Sequence, residues 1–549
     1  MKSLISVFLI NILLCGCGQP GPKNVGTATS SNVANQRVDN GQVYGDMLVE
    51  TMGVNPPLLN PLAYNEGYSI GILSKIFNGL VRENENFELL PDLAERWEFS
   101  PDGQTILFYL RKNVLWHDNS EFTADDVLFT YQMIMKDSSE SFFKPYFEPV
   151  QSVEILDKYR VKVTYREPFA YALSAWRCFI VPRKIFQEDG ISDMKKEPPL
   201  VGTGPFKFVK WDQHEQIVLE SNRKYFNGRP CLDGYTYRII PDASMSFLSL
   251  LKGEVDLLRL NPDQLVKQGD TPAFKENFNV YKSLNRMFLF VEYNLLNPLF
   301  ADRNVRRALT MAVNRQGIIS DVLQGYGKEC NGSFLITSDD YDKSMEVMAF
   351  SQDEARKLLK AAGWVDTDKD GVLENGGKKF EFDLVATHGN AIRQLVAKVL
   401  KDAWEAVGVK VNLQFDEWSV LLDKGLSKKF DAIILGWDLS IDPDPFMLWH
   451  SSQIPDTGKK KVGYNFFSYN NPETDKLLEL ARRTIDPSER AEIYHKFQRL
   501  LYADQPVTFL FFTEDITVVN KRIHGIHENG SEIFYNLTKW YVPESQRRY

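Results

Sequence analysis

Several short stretches of this chain carry residues whose types and spacing could do chemistry. Gly67-Tyr68-Ser69-Ile70-Gly71 spells GxSxG, the turn that lifts a nucleophilic serine above an α/β-hydrolase sheet. Such a turn needs a core strand in front of it. Upstream stands Asn55-Pro56-Pro57-Leu58-Leu59-Asn60-Pro61, whose prolines cannot donate to a central ladder. A serine so early also leaves no room for the strands that precede such a nucleophile. The segment therefore reads as a helix with Ile70, Leu73, Ile76 and Phe77 on one face, stopping near Gly79. His524 and His527 stand beside Glu528, but no further ligand nearby has zinc spacing, so they read as loop histidines. Asp366-Thr367-Asp368-Lys369-Asp370-Gly371 imitates the start of a calcium loop. Its twelfth position is Gly377 where a bidentate glutamate belongs, and Glu374 falls at the ninth. A plain turn suffices there, and no metal is expected. Gly202-Thr203-Gly204 opens a GxG, yet Lys207 replaces the third glycine of a nucleotide loop. HExxH, P-loop and CxxC patterns are missing, and no nucleophile can be matched to a base. Neither an enzyme nor a cofactor is expected.

The best site candidate is Leu435-Gly436-Trp437-Asp438-Leu439-Ser440-Ile441-Asp442-Pro443-Asp444-Pro445. An apolar strand ends in glycine and tryptophan, then runs into a polar loop stiffened by prolines. Ligands of open α/β sheets sit beyond the carboxyl ends of strands. Backbone exposed there can pair with an extended peptide, giving affinity that is independent of side-chain identity. Gly436, Trp437, Asp438, Ser440 and Asp442 are therefore candidate ligand contacts.

The elements that must position these residues are well marked. Trp97 and Phe99 alternate with polar residues up to the turn Ser100-Pro101-Asp102-Gly103, and Thr105 to Leu110 reads as the returning strand. Thr123-Ala124-Asp125-Asp126 opens a helix, with Val127, Leu128, Tyr131 and Ile134 expected on its buried face. Further on, Ser351-Gln352-Asp353-Glu354 is a capping box. Asn471-Pro472 and Asp486-Pro487 each place a cap residue before a first-turn proline. A helix over Leu395 to Val407 ends at Gly408, and apolar runs at 380–386, 409–415 and 430–437 separate the helices. Strand–helix alternation of this kind predicts an α/β lobe with a largely parallel sheet.

The chain has 549 residues, 43% apolar and 25% charged, an ordinary globular balance. Its net charge of −9 and lack of a basic cluster argue against nucleic acid as a partner. Cys178, Cys231 and Cys330 are widely spaced and odd in number, so buried thiols are favoured over a disulfide framework, although one bridge stays open.

The wording of Pro91 to Asp126, PDLAERWEFSPDGQTILFYLRKNVLWHDNSEFTADD, strongly resembles the family 5 extracytoplasmic solute-binding proteins. These are the oligopeptide and dipeptide receptors of ABC importers. The block from Gly202-Thr203-Gly204-Pro205-Phe206 to Tyr225, the step Gly253-Glu254-Val255-Asp256, the Gly436-Trp437 segment and the return strand from Asp504 to Phe512 match the family as well. The resemblance runs from about Gly45 to the C-terminus. It implies a two-lobed periplasmic-binding-protein fold of the large peptide-receptor type: lobe I from residues 43–68, 200–283 and 508–549, a subdomain inserted over 69–199, and lobe II over 284–507. It also implies chain crossings near Leu284 and Asp504, ligand-driven closure, and delivery to an ABC permease with its ATPase subunits by a receptor acting as a monomer. The family's peptide receptors hold the ligand's ammonium with an aspartate three residues after the tryptophan. Ser440 stands there, and Asp438 or Asp442 could serve instead. Asn65, Thr203, His388 and Asn390 complete the candidate ligand contacts. The same fold also binds nickel chelates, sugars or opines in this family, and a surface lipoprotein with another role is a third reading.

At the N-terminus an apolar run from Leu4 to Leu14 is too short to span a bilayer, which takes about 20 residues, but suits a signal peptide. It ends in Leu14-Cys15-Gly16-Cys17, which resembles a lipobox with Cys17 as the lipidated residue; Cys15 would place Leu14 at a cleavage position that wants a small residue. Residues 1–17 are thus expected to be the signal peptide and lipobox, and 18–42, rich in Gly, Ser, Thr, Asn and Gln, a flexible tether. The mature protein should lie on the periplasmic side of the envelope, anchored to a membrane by lipid alone.

Overall fold

The computed structural model describes residues 43–63, 67–84, 88–136, 139, 141, 143–188, 198–439, 443–456, 463–528 and 533–549. Cys17, Asn65, Ser440 and Asp442 lie outside the described residues. The chain divides into two compact units. One holds the described residues up to Ser283, with Arg483–Pro487 and Asp515–Tyr549; the other holds Leu284–Arg482 and Ser488–Glu514.

The first unit is built on β1 (Met47–Met52), which runs parallel to a later strand, Gly234–Ile239. Helix α1 (Gly67–Ile76) buries Ile70, Leu73 and Ile76, as its spacing predicts. Ser69 of the GxSxG stretch lies within this helix and donates to the Leu58 carbonyl at 2.7 Å, so no nucleophile elbow exists. Next come β2 (Ala94–Phe99) and β3 (Thr105–Leu110), the expected hairpin. Together with β4 (Val150–Asp157) and β5 (Arg160–Tyr165) they form an antiparallel sheet in the order β2-β3-β5-β4.

Helix α2 (Ala124–Met135) starts at Thr123, whose N–H donates to Asp126 at 2.9 Å. Its buried residues are Ala124, Asp126, Val127, Phe129, Thr130, Met133 and Ile134, while Leu128 and Tyr131 are half-exposed. The expected stripe is thus rotated, because α2 packs against short helices at 144–147 and 183–188 as well as against the sheet.

Strands β6 (Phe206–Asp212), β7 (Gln216–Ser221) and β8 (Gly234–Ile239) extend the main sheet of this unit, and after α3 (Ala243–Leu251) comes β9 (Leu257–Leu260). The order is β9-β1-β8-β7-β6. The family-like Trp-His-Asp and GTGP wording is structural here. His117 Nδ1 accepts from the Gly202 N–H at 3.2 Å and its Nε2 pairs with the Gly204 carbonyl at 3.0 Å. Burial lowers the His117 pKa to about 4, so it holds the loop as a neutral ring. A side chain on Gly202 would meet the Ile76 carbonyl at 1.8 Å, so only glycine fits.

Two strands carry the chain between the units: β10 (Phe278–Tyr293), and near the C-terminus Val507–Asn520. In the second unit β10 is buried on both faces. Leu289, Val291 and Tyr293 join one core, and Phe288 and Phe290 the other. Helices α4 (Arg303–Met311) and α5 (Gln352–Ala361) belong to the first core; α5 is capped by Ser351, whose hydroxyl accepts from the Glu354 N–H at 3.2 Å. Then follow β11 (Glu381–Thr387), α6 (Ala391–Glu405), β12 (Lys410–Asp416), α7 (Trp418–Ser427) and β13 (Ala432–Asp438). The proline-started helices α8 (Pro472–Arg483) and α9 (Pro487–Asp504) lead into β14 (Val507–Asn520). The sheet order is β12-β11-β13-β10-β14. The alternating segment is parallel as expected, β11 to both β12 and β13, but β10 pairs antiparallel to β13. The three cysteines are free and buried.

Candidate functional site

The path β11–α6–β12–α7–β13 places β12 and β13 on opposite sides of β11. Helix α6 covers one face, with Val396, Ala397, Leu400 and Trp404 packed in the core that holds Ile434. Helix α7 covers the other, with Leu421, Leu422 and Leu426 in the core that holds Ile433 and Leu435. The two connections leave to opposite faces, and the carboxyl ends of β11 and β13 are then the ordinary position for a ligand in an open α/β sheet.

Gly436 lies at that end of β13, opposite Leu289 in register. A β-carbon on it would fall 2.6 Å from Met287 Sδ and 2.9 Å from Arg393 Nη2, so these two side chains fill the space that glycine leaves. Trp437 is half-buried on the other face, edge-on to Tyr464 at 5.4 Å. Asp438, also half-buried, closes the strand opposite Met287.

After β11, the His388 N–H donates to the Asp416 carbonyl at 2.7 Å, while its exposed ring lies 3.0 Å from Glu417 Oε1. Asn390 caps α6, its side-chain oxygen accepting from the Arg393 N–H at 3.0 Å. Thus Gly436, Trp437, Asp438, His388 and Asn390 all stand at strand ends of one unit. Thr203 lies in the first unit, buried, and its hydroxyl donates to Asn78 at 2.9 Å. Asn78 in turn donates to Asp92, whose pKa burial raises to about 7. That hydroxyl is committed to an internal network.

Reasoning from the sequence missed Arg393. The signal was present: Arg393, Val396, Ala397, Leu400 and Trp404 share the buried stripe of α6. A cation on an apolar stripe, in the first turn where the helix dipole opposes it, is out of place unless something there uses it.

The acidic loop is more ordered than its sequence implied. Asp366, Asp368, Asp370 and Glu374 bring one carboxylate oxygen each within 4.8 Å of one another, a ligand type suited to a hard cation. Lys379 already spans two of them, pairing with Asp370 and lying 3.4 Å from Asp368. The Thr367 N–H and hydroxyl donate to Glu374 at 2.9 and 2.7 Å.

The profile of the bacterial extracellular solute-binding proteins, family 5 (middle region), matches residues 88–457. The chain belongs to this family. It is 31% identical to the oligopeptide-binding protein AppA of Bacillus subtilis, over 99% of this chain and 98% of that protein. The solved structure of AppA from Bacillus subtilis in complex with a nonapeptide superposes with a TM-score of 0.79 at 30% identity, covering 92% of this chain and all of that one. NikZ from Campylobacter jejuni, solved in complex with Ni(L-His), gives a TM-score of 0.80 at 28% identity, covering 90% of this chain and 99% of that one. The two-lobed solute-binding architecture expected from the sequence is therefore shown. As a family 5 member the protein is an extracytoplasmic solute-binding receptor of an ABC importer. Among the described residues no helix is long and apolar enough to cross a membrane.

Proposed function

We propose that this family 5 receptor captures peptides, holding them in extended form against Gly436 and Trp437, and hands them to an ABC permease. The observation that supports this most is the reversal of strand order at the ends of β11 and β13, where Gly436 leaves the strand backbone without a side chain of its own. Backbone pairing there would tolerate many peptide sequences. Its similarity to AppA, whose structure holds a nonapeptide, supports the same reading. Asp438 or Asp442 receives the peptide's ammonium in place of the aspartate missing at Ser440. Calorimetry with alanine peptides of increasing length is expected to show binding. N-acetylation, and one of Asp438→Asn or Asp442→Asn, should each weaken it by about 3–5 kcal/mol, the cost of stripping one partner from a buried charge pair. Equal affinity for acetylated and free peptides would remove the ammonium from the reading.

The relative bound to Ni(L-His) supports a second reading, a small chelate in place of a peptide. Mass spectrometry of ligand released from protein purified from its host separates the two.

We further propose that Cys17 carries a lipid anchor, on the strength of the Leu14–Cys17 lipobox. Cys17→Ser should release the processed protein from membranes, and a processed mutant retained there would refute the anchor.

A further inference from the structure

His450 closes the short helix Phe446–Trp449 and caps the turn Ser451–Gln453 that follows it. It is 7% exposed. Its Nδ1 accepts from the Ser452 N–H at 3.0 Å, with the Ser452 hydroxyl 2.8 Å away. A ring nitrogen that accepts from a backbone N–H carries no proton of its own, so the neutral ring holds its hydrogen on Nε2. Nε2 has no hydrogen-bond partner among the described residues. It faces two carboxylates of α8 at ion-pair range, Glu479 at 3.5 Å and Asp475 at 3.8 Å. The second proton, which completes an imidazolium, has to go to Nδ1, where the Ser452 N–H already points. Burial is the largest influence on the ring and holds its pKa below the usual 6.5; Arg482 acts in the same direction, and Asp475 and Glu479 oppose it.

The ring is also tied to the wall of the candidate site. Phe446 stacks on His450 with ring centres 4.1 Å apart, and the Arg482 guanidinium lies 3.9 Å from the centre of the same Phe446 ring. Arg482 donates twice to Asp444, at 2.9 and 2.6 Å. The charged groups around His450 are thus Asp475, Glu479 and Arg482 from α8, and Asp444, paired with Arg482, from its own segment. The His450 carbonyl accepts from the Asn465 side chain at 3.2 Å, and the Gln453 carbonyl, at the end of the capped turn, accepts from the Asn465 N–H at 3.2 Å. Asn465 is fully buried, and the residue before it is Tyr464, the ring that packs edge-on against Trp437. A β-carbon on Gly463 would fall 2.0 Å from the Gln453 carbonyl oxygen, so the two segments meet backbone to backbone. One imidazole therefore caps the turn that holds Tyr464 behind Trp437.

We propose that His450 is a proton sensor that weakens the receptor's hold on its cargo in acid: a proton on Nδ1 displaces the Ser452 N–H, opens the turn Ser451–Gln453 and loosens Tyr464 and Trp437. The inference rests on the reading of Gly436 and Trp437 as ligand contacts and adds a regulation of that site. The sign follows from the neutral ring. The closed turn excludes the proton, and the open turn takes it up with the usual pKa near 6.5. The closed turn is therefore fully stable above that pH. Below it, the ratio of open to closed rises by about tenfold per pH unit, until the ring in the closed turn itself titrates. Asp475 and Glu479 face the imidazolium that forms.

The test uses the mature protein as wild type and as His450→Asn, whose amide oxygen replaces Nδ1 as acceptor for the Ser452 N–H and does not titrate. His450→Gln stands in if that variant fails to fold. Hydrogen exchange read by mass spectrometry, corrected for the intrinsic pH dependence of exchange, measures the opening of 450–454 and 463–466. Between pH 7.5 and 5.5 the opening of wild type should grow about tenfold, and that of the variant should stay flat. Alanine peptides of two to nine residues are the binding probes. Those that bind at pH 7.5 should bind wild type about tenfold more weakly at pH 5.5, and should bind His450→Asn equally at both. Opening that ignores pH in wild type overturns the inference. So does an acid response that survives in the variant, or an opening that grows while peptide affinity holds. If no alanine peptide binds at either pH, the peptide reading falls and exchange over β13, which carries Trp437, decides instead: loosening in acid in wild type alone supports the sensor, and a flat response overturns it.

Discussion

Arg522→Met is expected to destabilise the first unit by about 3–5 kcal/mol, the usual result of removing one member of a buried ionic network. Arg522 donates from Nε and Nη2 to the two oxygens of Asp256, each at 2.6 Å, and pairs through Nη1 with Asp46. Both carboxylates are fully buried, and the arginine is 4% exposed. The three residues come from far apart in the chain: the residue before β1, the residue before β9 and the turn after β14. Asp46 also accepts from the N–H groups of Arg548 and Tyr549 at 3.0 and 3.1 Å, so the cluster ties down the C-terminus as well. Without the arginine two acids face each other in a dry interior. Urea unfolding of wild type and variant measures the loss. Adding Asp46→Asn and Asp256→Asn to Arg522→Met should restore part of it, because the orphaned charges are then gone. A triple variant no more stable than the single one would show that shape, not charge, sets the cost.

Glu292→Gln is expected to raise the stability of the second unit at neutral pH and to leave it little changed in acid. Glu292 sits on β10 in an otherwise apolar run, fully buried, and neither carboxylate oxygen has a hydrogen-bond partner among the described residues. Burial pushes its pKa well above the usual 4.5, so it is protonated when folded and ionised when unfolded over the range between. The unfolded state then binds fewer protons. Stability falls as pH rises above about 4.5, by about 1.4 kcal/mol per pH unit, until the folded carboxyl itself ionises. Glutamine has the same shape and no charge, so the difference between variant and wild type should grow with that slope. Denaturant titrations of both proteins from pH 4 to pH 8 read it directly. A difference that stays flat with pH would mean that the buried carboxyl has partners in solution.

Local signals in the chain were sufficient wherever a single element solves its own problem. A glycine-containing turn between an alternating aromatic run and a β-branched, aromatic one gave the hairpin of β2 and β3, and a serine cap with acids in the first turn gave α5. Prolines behind cap residues started α8 and α9. Period and turn chemistry also ruled out a hydrolase elbow at Ser69, which lies in a helix. The family wording then supplied the fold class, and the residue pattern alone put Gly436 and Trp437 at a strand end.

What depends on meetings between distant residues was not legible. The stripe of α2 turned away from its expected face because helices as well as strands press on it, and periodicity reports that a face is apolar, not how many neighbours it has. The GTGP wording, its Thr203 included, belongs to an internal hydrogen-bond network, since a motif records that residues are needed and not which partners need them. The spacing of Asp366, Asp368 and Asp370 looked like a broken loop, yet the fold gathers them with Glu374. Arg393 is the strongest case. Its residue type and helical position are in the sequence, but that no carboxylate pairs with it among the described residues is a property of everything packed around it. A single buried charge is costly only in relation to what surrounds it, and that surrounding exists only once β10, β11, β13 and α6 have come together.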